Sequence, residues 1–328
     1  MKMNLFPSLR HLFPLAAVAI LPLAGCDKQP PVGNPKPGKT LTVGFSQVSA
    51  ESDWRVAESK SMKDEAAKRG IDLKFSDSQG KQENQFKAIR SFIAQGVDAI
   101  ILAPKVETGW EEILKEAKQA KIPVVLVDRG IKVSDDSLYV TLIASDFVAE
   151  GKLAGEWLAK KTGGMARIIE LEGSPGAAPA IDRKKGFAES IAAHPGMKII
   201  ASQSGDFETG KGKEVMETLL QQHGKNITAV YAHNDNMALG AIEAIKAAGK
   251  KPGVDILIVS IDAVRAAFTA MVAGDLNCTI ECNPLLGPLA FDAVEKARKG
   301  EAVPKKTVIE DRVFDQSAAA AELPNRKY

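Results

Sequence analysis

Short apolar runs alternate with longer amphipathic segments along most of the chain after residue 40. The apolar runs are rich in β-branched residues, and the segments between them space their apolar side chains three and four positions apart. This alternation predicts parallel strands that are covered by helices on both faces of a sheet. In the first half the predicted elements are strands 41–47, 71–78, 97–104 and 122–130 and helices 54–70, 83–96 and 108–121.

The same order of elements begins again at residue 166, although few residues are identical between the two halves. The elements predicted in the second half are strands 166–173, 197–207, 226–235 and 256–264 and helices 180–196, 211–224 and 236–250. The repetition predicts an α/β protein built from two Rossmann-like lobes, each with a parallel sheet.

Polar side chains collect where the predicted strands end. Asp128 and Arg129 follow one apolar run, Asn234 follows another, and Asp262 follows a third. Ligands of parallel sheets bind outside the carboxyl ends of the strands. Asp and Asn are also common turn residues, but arginine is not, so we expect these side chains to face a ligand.

Each predicted lobe also places an arginine on the buried stripe of its first helix. Arg55 lies four residues before Ser59, on the stripe that continues to Met62, and Arg183 lies four residues before Phe187. A cation at the N-terminal end of a helix opposes the helix dipole, and structural arginines are more typical of C-terminal turns. We therefore expect both arginines to face a ligand and to need acidic or hydroxyl partners.

Trp54 is the third unusual residue at this end of the predicted sheet. Its helical neighbours Glu58, Ser61 and Glu65 predict a solvated face, so the indole does not continue the apolar stripe. An indole at the edge of a cleft suits stacking on the C–H face of a sugar, and a hydrophobic staple or a plain surface aromatic is the alternative. Arginine, carboxylate, asparagine and aromatic side chains together form a set that can bind a polyol.

The first residues have the pattern of a secretory signal. Lys2 and Arg10 precede an uncharged apolar run at 12–23, which is shorter than the roughly 20 residues that a membrane span needs. The following sequence LAGC resembles the lipobox of bacterial lipoproteins, in which the cysteine is lipidated. We expect residues 1–26 to be a lipoprotein signal peptide and Cys26 to carry the lipid; the alternative is an ordinary signal peptide in which Cys26 is incidental.

Residues 27–39 contain four prolines and nothing to bury, which predicts an extended tether. Thirteen residues at about 3.1 Å each would hold a folded body up to roughly 40 Å from a membrane. Asp27 resembles the signal that retains lipoproteins at the inner membrane. We therefore expect a periplasmic protein that is anchored to the inner membrane.

Charge and cysteine content argue against several classes of protein. The chain has 43 basic and 41 acidic residues, and residues 1–26 contain two of the basic ones and none of the acidic ones. The mature chain is therefore neutral, which argues against a nucleic-acid partner. Cys278 and Cys282 would lie about 13 Å apart on a strand, too far for a disulfide. No histidine spacing suggests a metal site, and 173–178 lacks the glycine spacing of a nucleotide loop, so we expect no metal and no cofactor.

Several segments resemble the type I periplasmic sugar-binding proteins of ABC importers, in the superfamily of the ribose- and galactose-binding proteins. These segments are TVGFSQVSAESDWR, VDRG, IDRKKGF, SQSGDF and VYAHNDNMALGAI. The likeness covers 40–328 and is most evident for the members that bind galactofuranose. It implies two lobes joined by a three-strand hinge, with crossings near residues 143, 282 and 311. The implied N-terminal lobe is 40–143 plus 283–310, and the implied C-terminal lobe is 144–282 plus 311–328.

The resemblance also implies the function and the ligand contacts. A monosaccharide, galactofuranose or a related sugar, would be contacted by Glu51, Trp54, Arg55, Asp128, Arg129, Arg183, Asn234 and Asp262. The protein would be a monomer without enzymatic activity that delivers the sugar to an ABC permease. The alternative is an ectodomain partner that presents a sugar or autoinducer to a membrane receptor. An enzyme would need a catalytic constellation that the sequence lacks, and a repressor would need a DNA-binding helix pair where this chain has a signal and a tether.

Overall fold

Two six-stranded sheets organise residues 40–328, which are the residues that the computed structural model describes. The predicted signal peptide 1–26, with Cys26, and the predicted tether 27–39 lie outside the described residues. Each strand and helix predicted from the pattern has a counterpart, with ends that shift by a few residues. The prediction of two α/β lobes is confirmed.

The first sheet and its helices come from the first part of the chain and from one late segment. Its elements are β1 (Thr42–Gln47), α1 (Asp53–Arg69), β2 (Asp72–Asp77), α2 (Gln82–Gln95), β3 (Ala99–Leu102), α3 (Glu111–Gln119), β4 (Val124–Val127), β5 (Thr141–Ser145), α9 (Gly287–Arg298) and β11 (Lys306–Ile309). The strand order is β11-β5-β4-β3-β1-β2, and each neighbouring pair is parallel.

The second sheet repeats this arrangement. Its elements are α4 (Phe147–Thr162), β6 (Met165–Glu172), α5 (Ala178–Ile191), β7 (Gly196–Ser204), α6 (Thr209–His223), β8 (Ala229–Ala232), α7 (Asp235–Ala247), β9 (Leu257–Asp262), α8 (Arg265–Ala273), β10 (Cys278–Glu281), β12 (Val313–Asp315) and α10 (Ala319–Glu322). The order is β12-β10-β9-β8-β6-β7, and only the β10–β12 pair of this sheet is antiparallel.

The chain passes between the two sheets three times. It leaves the first sheet after β5, returns after β10 to form α9 and β11, and leaves again to form β12. The central strands are apolar on both faces: every residue of β3, β4 and β8 is buried, as expected for a sheet between two helix layers. The polar residues Asp128, Asn234 and Asp262 lie at the carboxyl ends of the parallel strands.

Helices α4 and α5 pack closely because glycines lie between them. A Cβ on Gly151 would lie 2.2 Å from the carbonyl oxygen of Arg183, and a Cβ on Gly186 would lie 2.0 Å from that of Val148. Only glycine allows backbones to approach this closely. The contact fixes the start of α4 beside the second turn of α5, where Arg183 lies.

Within residues 40–328, no helix has the length and apolar character that a membrane crossing requires. Cys278 and Cys282 are both buried, free thiols. Burial raises the pKa of both thiols well above the usual value.

Candidate functional site

All eight side chains predicted to contact a ligand line one cavity between the two lobes. The cavity has an empty volume of about 280 Å³, part of which is open solvent. It lies at the carboxyl ends of the parallel strands, where such sheets bind ligands. Four further residues that were not predicted also line it: Ser52, Pro179, Phe207 and Cys282.

In the first lobe, two arginines are held by carboxylates from α1, from the loop before α1 and from the end of β4. Arg55 donates from its two terminal nitrogens to Glu58 Oε2 and Asp128 Oδ2, both at 2.6 Å. Arg129 donates to Glu51 Oε1 at 2.7 Å. Because both guanidinium groups are 3 % exposed or less, these pairs are hardly screened by solvent, and their geometry is fixed.

The start of α1 places Trp54 and Arg55 at the cavity. The side chain of Ser52 accepts a hydrogen bond from the backbone N–H of Arg55 and caps the helix. Arg55 continues the buried stripe of Met62 and Ala66, as predicted from the helical period. Gly70, in the left-handed conformation, ends the helix.

In the second lobe, Arg183 has a principal partner that the sequence did not indicate. Its Nε donates to Glu150 Oε2 at 2.7 Å, and Nη1 donates to the carbonyl oxygen of His233 at 2.6 Å. The predicted partner Asp262 is farther away, with 3.5 Å between Oδ1 and Nη2. Burial raises the pKa of Asp262 well above its usual value although Arg183 favours the charged form, and burial likewise raises the pKa of Glu150.

Asn234 lies in the cavity wall, but its side chain is already engaged by the protein. Its Oδ1 accepts from the backbone N–H of Met237 and caps α7, and its Nδ2 donates to the carbonyl oxygen of Phe207 at 3.0 Å. The residue therefore shapes the wall in addition to lining it. Asp128, directly after β4, and Asp262, the last residue of β9, have positive φ angles of 60° and 124°, and the chain turns sharply at the cavity there.

The helix face that carries Trp54 is buried, and the prediction of a solvated face is wrong. Glu58 is fully buried and Glu65 is nearly so. Helix α9, from far along the chain, packs against α1 and contacts it at Ser61 and Arg69. Glu58 accepts from Gln47 Nε2 and from Arg55, and Glu65 pairs with Arg69. Ion pairs thus compensate for the burial of a charged stripe, a pattern that helical period alone does not reveal.

Phe207 is the second aromatic residue of the cavity. It follows β7 with φ 66°, an uncommon conformation for a bulky residue. Its ring lies 5.4 Å from the guanidinium carbon of Arg129, which belongs to the other lobe. The motif SQSGDF contains the residue, and an apolar side chain directly after a polar strand end was the available signal.

The two lobes contact each other around the cavity. The indole Nε1 of Trp54 donates to the carbonyl oxygen of Cys282 at 2.6 Å. On the opposite side the backbone N–H of Glu107 donates to the carbonyl oxygen of Gly176 at 2.9 Å. These contacts, together with the burial of the lining side chains, define a closed arrangement of the two lobes.

Two buried donors at the cavity, Nε of Arg55 and Nε of Arg129, have no hydrogen-bond partner among residues 40–328. The carboxylate oxygens nearest to these two nitrogens are 3.9 Å away, on Glu51, and 3.4 Å away, on Asp128. A buried donor without an acceptor costs free energy, so a ligand rich in acceptor oxygens suits this cavity. Among the same residues, no group of three His, Cys, Asp or Glu side chains could hold a metal ion.

Comparison with known proteins gives strong matches over most of the chain. The chain is 55% identical over 291 residues to the galactofuranose-binding protein YtfQ of Escherichia coli (strain K12), covering 88% of this chain and 92% of the relative. A solved arabinose-transporter binding protein from Shewanella sp. ANA-3, bound to α- and β-L-arabinofuranose, is 58% identical with a TM-score of 0.85, over 87% and 95% of the two chains. A Mycobacterium smegmatis structure in complex with β-D-fucofuranose is 51% identical with a TM-score of 0.86, over 88% and 96%.

A family match agrees with these likenesses. Residues 43–302 match the family described as "Periplasmic binding protein domain". This stretch includes both sheets up to α9 and each of the residues that line the cavity. The chain therefore belongs to the periplasmic binding protein domain family.

Proposed function

We propose that this protein captures a monosaccharide in its furanose form, galactofuranose or a related sugar, for an ABC importer. The observation that carries the proposal is the closed cavity between the lobes, lined by arginines, carboxylates and two aromatic side chains. Three relatives that are more than half identical to this chain are named for furanose ligands. The eight predicted contact residues are proposed as the sugar-binding residues.

The chemistry of the cavity suits vicinal hydroxyl groups. Each hydroxyl both donates and accepts, so neighbouring carboxylate and guanidinium groups can satisfy it from two sides. Trp54 and Phe207 supply apolar faces on which the C–H groups of a sugar ring can pack.

Glu51 stays ionised inside this cavity and can accept from a sugar hydroxyl. Burial alone would raise its pKa, but Arg129, Arg55, Ser49 and Lys105 together lower the pKa to about 2. Of the two arginines, Arg129 is the closer, with 2.7 Å between Nη2 and Oε1 of Glu51 against 3.9 Å for Nε of Arg55. The cavity thus offers a charged acceptor at any pH near neutrality.

We propose binding rather than catalysis. Each arginine in the wall is paired with a carboxylate of its own lobe, so these carboxylates already serve to neutralise the arginines. Closure of two lobes about a hinge is a sufficient mechanism for capture. We propose that the protein acts as a monomer that meets an ABC permease.

We also propose that Cys26 is lipidated and that the tether 27–39 holds the lobes in the periplasm, at the inner membrane. The alternative of a sensory partner for a membrane receptor stays a hypothesis. Genes for a permease and an ATPase beside the coding gene would favour the importer, and a kinase or chemoreceptor gene would favour the sensor.

The ring form of the ligand can be tested with two deoxy sugars. An aldohexose closes to a furanose through O4 and to a pyranose through O5, so 5-deoxy-D-galactose forms only the furanose and 4-deoxy-D-galactose only the pyranose. We expect calorimetric titration to detect binding of D-galactose and of the 5-deoxy sugar but not of the 4-deoxy sugar. Binding of the 4-deoxy sugar alone would contradict a furanose site, and binding of no sugar would contradict the proposed function.

Arg183 and Glu150 allow binding to be separated from stability. Arg183→Ala should weaken sugar binding by about 2–4 kcal/mol and also lower the melting temperature, because it leaves the buried carboxylate of Glu150 unpaired, at a cost of about 3–5 kcal/mol. Arg183→Met combined with Glu150→Gln should recover most of the melting temperature but not the binding. Lys185→Ala, on the exposed side of the same helix, is the control. Normal binding by Arg183→Ala would remove this residue from the site.

Glu51 should stabilise the fold in a pH-dependent way. Its folded pKa of about 2 lies below the ordinary value of 4.5, so its contribution is present above pH 4.5 and is lost as the pH falls toward 2. The melting temperature of Glu51→Gln should therefore lie furthest below the parent's near pH 6 and approach it near pH 3. Glu301→Gln, at an exposed position, should show no such trend; a gap that stays constant with pH would contradict the ionised pair.

The lipid anchor can be tested by detergent partition of the full precursor expressed in a Gram-negative host. The parent should enter the detergent phase, because its cysteine carries acyl chains, and Cys26→Ala should stay in the aqueous phase or remain unprocessed. Cys278→Ala is the matched control and should behave as the parent. Aqueous partition of both parent and Cys26→Ala would show that Cys26 is not an anchor.

A further inference from the structure

The ring of Phe207 occupies the space that a side chain at position 173 would fill. A Cβ built on Gly173 would lie 1.9 Å from Cζ and 2.2 Å from Cε1 of Phe207, where ordinary contacts are about 3.5–4.0 Å. The backbone of Gly173 is not in the left-handed region, so its conformation does not require glycine. The ring does. Phe207 lines the cavity, whereas Gly173 does not.

The backbone of Gly173 is held in place on both sides. Its N–H donates to Nδ1 of His233 at 3.2 Å, and its carbonyl oxygen accepts from Ser204 Oγ at 2.8 Å. His233 is fully buried, and its Nε2 lies 3.3 Å from Glu170 Oε1. A side chain at position 173 therefore cannot be accommodated by a retreat of the backbone without breaking these bonds.

The backbone of Phe207 is fixed as well. Its carbonyl oxygen accepts from Asn234 Nδ2 at 3.0 Å, and the carbonyl oxygen of Asp206 accepts from Ser174 Oγ at 3.3 Å. Asp206 and Phe207 both have positive φ, 56° and 66°, so the turn has little freedom to adjust. The part that can move is the aromatic ring, whose surroundings include the cavity and Arg129.

We propose that Gly173 is a positioning residue that sets where the Phe207 ring stands in the cavity wall, and thereby which sugars fit. The inference rests on the proposed function and deepens it, because it names a position outside the cavity that controls ligand size. A methyl group at position 173 displaces the ring, so the bound sugar loses its apolar platform or the space it occupies.

A second glycine and phenylalanine pair provides a matched control. A Cβ on Gly44 would lie 2.4 Å from Cδ2 of Phe92, in the core of the first lobe, and neither residue lines the cavity. Gly44→Ala should therefore lower the melting temperature without changing affinity. Gly210, at an exposed position with no atom within 4 Å of an added Cβ, controls for the Gly→Ala change itself.

The test is calorimetric titration with D-galactose, with a melting curve on each variant. We expect Gly173→Ala to lose at least tenfold in affinity, and we expect the same substitution to change affinity less than twofold in a Phe207→Ala background. Equal affinity of Gly173→Ala and the parent would overturn the proposal, as would an equal loss in both backgrounds. If Gly173→Ala alone does not fold, the double variant must fold and bind as Phe207→Ala does, or the proposal fails. No binding by the parent would overturn the proposed function instead.

Discussion

Three buried guanidinium groups determine how the cleft is built. A charge removed from water needs an anion at short range, and breaking such a pair strands the remaining ion. The pairs are Arg55 with Asp128, Arg129 with Glu51, and Arg183 with Glu150. In each pair the two residues come from different strand ends or helices, so the ion pairs also fix the loops that form the cavity wall. The positions of the aromatic residues depend on these loops.

Much of this arrangement follows from local patterns in the sequence. Apolar runs of four to six residues must lie inside a sheet, so polar residues directly after them are brought to one edge. Arg55 and Arg183 could be recognised because each is a cation on an otherwise apolar helical stripe. These signals need only the helical and strand periods, and they indicate the two arginines and the polar residues at the strand ends. Glu51 was implied only by the resemblance to sugar-binding proteins, and Trp54 was selected by a solvated face that is in fact buried. All eight residues line one cavity.

The remaining features depend on contacts between distant segments. Glu150 lies on α4, whose glycines at 151 and 155 interrupt the apolar pattern because they face another helix. Glu58 has the sequence pattern of a solvated residue, but it is fully buried and accepts hydrogen bonds from Gln47, at the end of β1, and from Arg55. The close contact between Gly173 and the ring of Phe207 joins two segments that are distant in the sequence, so only the structure reveals it. Helical period cannot indicate burial that a remote helix or an aromatic ring imposes.

The distribution of charge has a consequence for lobe closure. Every arginine in the cavity wall is paired inside its own lobe, whereas the contacts across the cleft include neutral hydrogen bonds such as that of Trp54 with Cys282. The lobes can therefore separate without stranding a charge. A ligand shifts such an equilibrium only by its differential affinity for the closed form. A sugar that contacts the arginines of the first lobe and Arg183 of the second lobe at once would bind the closed form more tightly than the open form. In an open cleft the same sugar could contact only one lobe at a time.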